Sequence, residues 1–261
     1  MEIIITNTPE EVGRVAADLI AGVVRSRADA VLGVATGSSP LATYRRLAEL
    51  SAPGTADRVD FSAVSVFALD EYVGLPDGHP ESYAAVVQRE IVNPLGIDPA
   101  NAHVPDGSAA DVDAAAAEYD LAIAHAGGIE LQLLGIGRNG HVGFNEPSSS
   151  LTSRTRVKTL APQTRADNAR FFDSPDQVPV HCITQGLGTI GDARRLLLVA
   201  QGVDKADAIA HVIEGPLSSR WPGSILQLHP HATVVIDEAA ASGLALADYY
   251  RSVQEFKPRA A

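Results

Sequence analysis

Gly135-Ile-Gly-Arg-Asn-Gly-His-Val-Gly-Phe-Asn-Glu-Pro147 follows directly on the apolar run Glu130-Leu-Gln-Leu-Leu134. The apolar run reads as a strand end, and in open α/β sheets ligands gather on the loops that leave the carboxyl ends of strands. Gly135, Gly137 and Gly140 satisfy the G-x-G-x-x-G pattern of dinucleotide-binding folds. That pattern works only when a helix opens at the third glycine and turns its N-terminus to a pyrophosphate. Here Gly143, Asn145 and Pro147 follow, then three serines, so no helix starts in time. The stretch predicts a ligand loop at a strand end of an α/β sheet, with no dinucleotide site. A purely conformational glycine loop would account for the glycines but not for His141, Asn139 and Glu146 crowding into it. His141 and Glu146, five residues apart, suit a proton-transfer pair.

Outward from this loop, strand and helix alternate. Residues 2–6 read as a strand and 9–27 as an amphipathic helix with Pro9 at its first position. The runs at 30–35, 64–69 and 194–200 are short and apolar throughout, as strands buried on both faces of a parallel sheet are. Residues 155–160 and 233–236 read as further strands. Helices are expected over 41–50, 80–92, 108–126, 204–214 and 238–255, the third opened by Ser108 with Asp111 three residues on. The pattern is that of a doubly wound, mostly parallel sheet in a single domain spanning 1–261.

Composition narrows the partners. Twenty basic against 32 acidic side chains leave a net charge of −12, which repels nucleic acid and anionic membranes, so an anionic ligand needs a local cluster of donors. No signal-like or membrane-length apolar segment is present, which points to the cytoplasm. The one cysteine, Cys182, lies in a strand-like run and reads as a buried, inert thiol. His229 and His231 flank Pro230 and suit a turn better than a metal site. His103, His125 and His211 carry no pattern, and neither metal nor cofactor is required.

Two further clusters bear on chemistry. Thr36-Gly37-Ser38-Ser39-Pro40 sits between a buried strand and a helix. It has two readings: a turn whose amides and hydroxyls hold a phosphate, or a plain turn with a helix cap. A phosphate there needs cations from elsewhere, for which Arg170 and Lys205 are the candidates, although either could be an ordinary solvated charge. Asp70, at the end of the 64–69 strand and walled by Leu69 and Tyr72, should have its pKa raised by desolvation, as a base for a carbon acid requires. The bland alternative is a cap or a salt-bridged carboxylate. The segment His79-Pro-Glu-Ser-Tyr83 starts a helix near the same pocket wall. A phosphate holder, a carbon-acid base and a His/Glu pair together describe aldose–ketose chemistry on a sugar phosphate.

Leu69-Asp-Glu-Tyr-Val-Gly-Leu75, His79-Pro-Glu-Ser-Tyr83, the Gly135–Pro147 run, Ser153-Arg-Thr-Arg156 and Leu226-Gln-Leu-His-Pro230 together closely resemble the glucosamine-6-phosphate deaminases, in order and over nearly the whole chain. The resemblance implies conversion of glucosamine 6-phosphate and water to fructose 6-phosphate and ammonia, on a Rossmann-like α/β fold that binds no dinucleotide. It implies that Asp70 moves a proton between C2 and C1, that His141 opens the pyranose ring, and that Glu146 and Asn139 orient and tune it. Some members carry Asp where this chain has Asn139, which leaves Glu146 as the only charged partner of His141. The resemblance also implies a phosphate held by Gly37, Ser38, Ser39, Arg170 and Lys205. Some members are hexamers activated by N-acetylglucosamine 6-phosphate, and Ser149, Arg156, Lys158, Thr159 and Tyr249 resemble that effector site, the last only loosely. A homo-oligomer is the corresponding expectation. The rivals are a 6-phosphogluconolactonase-like hydrolase and a non-catalytic sugar-phosphate sensor domain.

Overall fold

The computed structural model describes residues 1–257. Its strands are β1 (Glu2–Thr6), β2 (Val31–Val34), β3 (Ser65–Ala68), β4 (Asp70–Tyr72), β5 (Ala102–His103), β6 (Leu131–Leu134), β7 (Arg156–Thr159), β8 (His181–Thr184), β9 (Leu196–Ala200) and β10 (Ala232–Asp237). The helices of the first half are α1 (Pro9–Ser26), α2 (Leu41–Ser51), α3 (Tyr83–Val87), α4 (Asn93–Leu95) and α5 (Val112–His125). Those of the second half are α6 (Pro162–Asn168), α7 (Leu187–Gly191), α8 (Ala206–Ile213), α9 (Glu238–Ala241) and α10 (Ala247–Glu255).

Seven strands form one parallel sheet in the order β1-β10-β9-β6-β2-β3-β5. Winding proceeds from β2 through β3 to β5 on one side and from β6 through β9 to β10 on the other. The direction reverses between β2 and β6, and a crevice opens there at the carboxyl ends of the strands. The apolar runs are continuous because each strand feeds both faces. Leu197, Val199 and Val235 join the core under α1 and α2, whereas Leu196, Leu198 and Val234 join the opposite core with Tyr119 and Ile123 of α5 and Ile209 and Val212 of α8.

Four local expectations are corrected. Asp70 is not simply the end of β3: it starts β4, which pairs antiparallel with β8 in a second, three-stranded sheet β4-β8-β7 that the sequence did not reveal. The 80–92 helix begins only at Tyr83, where Ser82 and Glu71 satisfy the first N–H groups, and it widens into a π turn over Gln88–Val92. The cap of α5 is Asp111, which accepts the Ala114 N–H at 2.9 Å, while Ser108 bonds Asp106 instead. The closing helix is broken at Ser242, whose hydroxyl donates to the Ala239 carbonyl at 2.7 Å, and resumes as α10.

Candidate active site

The crevice at the β2/β6 reversal is a cleft of about 800 Å³ lined by Gly37, Ser38, Ser39, Asp70, Arg138, His141, Arg170 and Lys205, among others. Every predicted phosphate residue reaches it, as do Asp70 and His141. Asn139 and Glu146 stand behind the histidine. No helix opens after Gly140, so nothing there presents an N-terminus to a dinucleotide.

The histidine is held through an amide. Oδ1 of Asn139 accepts the His141 backbone N–H at 3.2 Å, and the same oxygen lies 2.7 Å from His141 Nδ1. A backbone N–H can only donate, so that atom of Asn139 is the carbonyl oxygen and Nδ1 carries the hydrogen that meets it. Nε2 is left as the ring's basic nitrogen. The other end of the Asn139 amide donates to Glu146 Oε2 at 2.8 Å, and Glu146 stays 3.7 Å from Nδ1. His141 and Glu146 are therefore linked by the intervening amide and do not form the direct pair that their spacing suggested. The ring packs flat against Gly137, where any Cβ would overlap it.

Glu146 is buried, which by itself raises a carboxyl pKa; the nearby His141 and the Asn139 amide outweigh that and hold it down to about 2. Its second oxygen, Oε1, accepts the Ala161 N–H at 3.1 Å at the start of α6. One carboxylate thus anchors both the histidine support and the helix that leads to Arg170.

Asp70 is 5% exposed, and burial, reinforced by the charge of Glu71, pushes its pKa well above the usual carboxylate range. The neighbouring Glu71 takes the cap role weighed for Asp70, accepting the N–H groups of Tyr72, Tyr83 and Ala84 at 2.8, 2.9 and 2.8 Å. Asp70 therefore faces the cleft without structural duty at a helix end. Tyr72, Tyr83 and Phe144 form an aromatic wall beside it, with Tyr72 and Tyr83 each within 6 Å of the Phe144 ring centroid, at 5.7 and 5.9 Å. Of the 79–83 segment, Glu81 and Tyr83 line the cleft, while His79 stacks on Phe172.

At the other end of the cleft Gly37 adopts φ +93°, a left-handed conformation that suits glycine, and turns the chain out of β2. Neither serine hydroxyl caps α2, whose N-cap, Pro40, makes no side-chain bond. Ser38 Oγ accepts instead from Arg170 at 3.2 Å. Lys205 Nζ donates to the Ile136 carbonyl at 2.8 Å, and burial, then Arg170 and Arg138, lower its pKa.

Arg156, Lys158 and Thr159 lie on β7, and Ser149 is buried with an unpartnered hydroxyl. Tyr249 is 61% exposed on α10, which packs against β1. Arg156 also reaches inward, donating to Oδ1 of the fully buried Asn145 at 2.9 Å in the histidine loop. Sequence reasoning missed this link, the aromatic wall, the cap role of Glu71 and Arg138 in the cleft. Only Arg138 had a visible signal, as a charged residue inside the glycine-rich loop. Among the described residues no cluster of three or more His, Cys, Asp or Glu side chains could hold a metal ion, and no helix is long and apolar enough to cross a membrane.

Fold and site define a doubly wound α/β protein with a cationic cleft at its strand reversal. The family model for glucosamine-6-phosphate isomerases/6-phosphogluconolactonase matches residues 7–236, and the chain belongs to that family. It is 57% identical over 258 residues to the glucosamine-6-phosphate deaminase of Pseudarthrobacter chlorophenolicus, covering 99% of this chain and 98% of that one. With the same enzyme of Rhodococcus opacus the identity is 58% over the same shares. A solved structure described as a monomeric glucosamine-6-phosphate deaminase superposes with a TM-score of 0.90 at 40% identity, over 93% of this chain and 100% of that one. The 6-phosphogluconolactonase of Trypanosoma cruzi shares the fold, with a TM-score of 0.74 at 19% identity over 94% and 97% of the two chains.

Proposed function

We propose that the chain is a glucosamine-6-phosphate deaminase acting as one domain, converting glucosamine 6-phosphate and water to fructose 6-phosphate and ammonia. The observation that carries this reading is the shared cleft: a buried, desolvated Asp70 and a histidine with a free Nε2 face the same space as Lys205 and Arg170.

In this reading the phosphate sits on the Gly37–Ser39 turn against Arg170 and Lys205, which places the sugar ring between Asp70 and His141. Nε2 of His141 takes a proton from the C1 hydroxyl and returns one to the ring oxygen, opening the pyranose to the aldehyde. Asn139 holds the ring nitrogen on the far side, and the Glu146 charge beyond it favours the transient imidazolium. Asp70 then removes the C2 proton and delivers it to C1. The resulting C2 imine adds water and releases ammonia. An ester hydrolysis has no use for a buried carbon base, which sets this reading above a lactonase. A sensor domain has no use for either proton-transfer group.

The proposal extends to an oligomer with an effector site for N-acetylglucosamine 6-phosphate at Ser149, Arg156, Lys158, Thr159 and Tyr249. The unpartnered buried hydroxyl of Ser149 and the apolar exposed positions of α10, Tyr249 and Val253, support it. The place of action proposed is the cytoplasm, where a charged sugar phosphate is retained. An assay of fructose 6-phosphate and ammonia from glucosamine 6-phosphate, with and without the acetylated sugar phosphate and alongside light scattering for mass, tests the whole. Product without ammonia, or hydrolysis of 6-phosphogluconolactone alone, overturns the deaminase reading, and a monomer unmoved by the acetylated sugar overturns the effector site.

A further inference from the structure

Arg138 lies between Gly137 and Asn139 of the histidine loop, and its side chain enters the cleft between that loop and α6. It is a poorly committed cation. Its nearest carboxylate, Asp167 on α6, lies 3.9 Å from the guanidinium, and Asp167 is already bonded at 2.8 Å by Gln163. Other arginines of this acidic chain are tightly matched: Arg46 to Glu49 and Arg251 to Asp248, both at 2.8 Å, and Arg154 to Asp120, also at 2.8 Å. Lys205, from the segment after β9, donates to the carbonyl of Ile136, two residues before Arg138, so its ammonium rests against the stretch of loop that carries the guanidinium. The two also feel each other, since Arg138 is among the charges that lower the Lys205 pKa, after burial and Arg170. Arg138 and Lys205 both feel Asp167, and Lys205 also Asp204, but neither is hydrogen-bonded to a carboxylate among the described residues, and with Arg170 beside them the three cations leave positive charge for a group that carries more than one negative charge.

We infer that Arg138 is a third cationic contact to the substrate phosphate and a determinant of specificity for phosphorylated sugars, parked on Asp167 when the cleft is empty. This rests on the phosphate-site reading above. A phosphate dianion offers the guanidinium two oxygens in fork geometry, which the shared, more distant Asp167 does not. Arg138 thereby changes partner across the cleft when substrate arrives. Asp167 competes with the phosphate and sets the affinity from the other side.

The test uses inorganic phosphate as the probe in calorimetry and as an inhibitor of turnover, with wild type, Arg138→Ala, Asp167→Asn and Lys205→Ala. Removing a half-exposed guanidinium should weaken phosphate binding about 5–10-fold. The KM for glucosamine 6-phosphate should rise by the same factor, with the loss on KM and little of it on kcat. Asp167→Asn should bind phosphate more tightly than wild type. Turnover of unphosphorylated glucosamine, however slow, should not respond to Arg138→Ala. Wild-type phosphate affinity in Arg138→Ala, together with a loss in Lys205→Ala, overturns the inference while leaving the phosphate site standing. A loss on kcat alone overturns it too, because it would put Arg138 to work on the histidine loop. If wild type itself does not bind phosphate, the underlying site reading fails and the inference with it.

Discussion

Oδ1 of Asn139 stands 2.7 Å from Nδ1 of His141, and that one contact selects the ring's tautomer. The amide faces Glu146 with its donor end at 2.8 Å, so a neutral side chain separates a base from a carboxylate. Asn139→Asp replaces the donor with a second acceptor at that distance. Negative charge beside the ring favours its imidazolium form, so the acid limb of the pH–rate profile should move to higher pH with activity retained. The carboxylate pair should also cost about 1–2 kcal/mol of stability at neutral pH, the range for an unmade buried hydrogen bond. A pH–rate series with thermal melts checks both. An unmoved acid limb means residue 139 does not set the charge of the base.

Asp70→Asn should lower turnover by about two to four orders of magnitude while substrate still binds. The same change should stabilise the protein at pH 8. Because the folded-state pKa is raised, ionising Asp70 disfavours the fold as pH climbs above the unfolded value, and the penalty is absent well below it. The melting temperature of the variant should therefore exceed wild type at pH 8 and converge with it near pH 4. A variant less stable than wild type at pH 8 would show that Asp70 is ionised and paired.

Glu146 behaves in the opposite sense. Its folded pKa of about 2 lies below the unfolded value, so its contribution to stability is present above the ordinary glutamate value of 4.5 and fades as pH falls toward 2. Glu146→Gln should cost about 1.5–3 kcal/mol at pH 7, as expected for charged hydrogen bonds in a buried place. Denaturant titrations at pH 7 and pH 3 should show the difference shrinking at the lower pH, and a constant difference would mean that packing, not charge, sets it.

Gly137→Ala puts a methyl group where the His141 ring rests. The ring must shift, and a displacement of about 1 Å in a catalytic group can cost about 100-fold. The loss should fall on kcat, with inorganic phosphate binding kept. Wild-type turnover in this variant would place the working histidine in another rotamer.

Lys205→Ala should weaken substrate binding by about 1.5–3 kcal/mol, the worth of a charged hydrogen bond. The protein should fold at least as well, because a buried ammonium with a lowered pKa is itself disfavoured. Equal efficiency on glucosamine and its 6-phosphate would argue against a phosphate contact there.

Much of the site was legible because it is local. Asn139, His141 and Glu146 share one loop, and glycine spacing with Pro147 excludes a helix there whatever surrounds it. What escaped reading depends on distant partners. β4 is three residues long, too short for a period, and exists as a strand only because Thr184, Ile183 and Cys182 of β8 pair with it. Neighbouring Asp70 and Glu71 look alike in the chain, yet one faces the cleft and the other caps α3, since successive strand side chains point to opposite sides.

The sequence by itself determined the alternation of buried strands and amphipathic helices and the chemistry of the loop, because periodicity and backbone restriction act over a few residues. Tertiary structure alone decided that the amide of Asn139, and not Glu146, meets the His141 ring, and that Lys205 reaches the stretch of loop that carries Arg138. Hydrogen-bond choice and charge compensation depend on distances of a few tenths of an ångström between groups. No spacing along a chain sets those; packing across the β2/β6 reversal does.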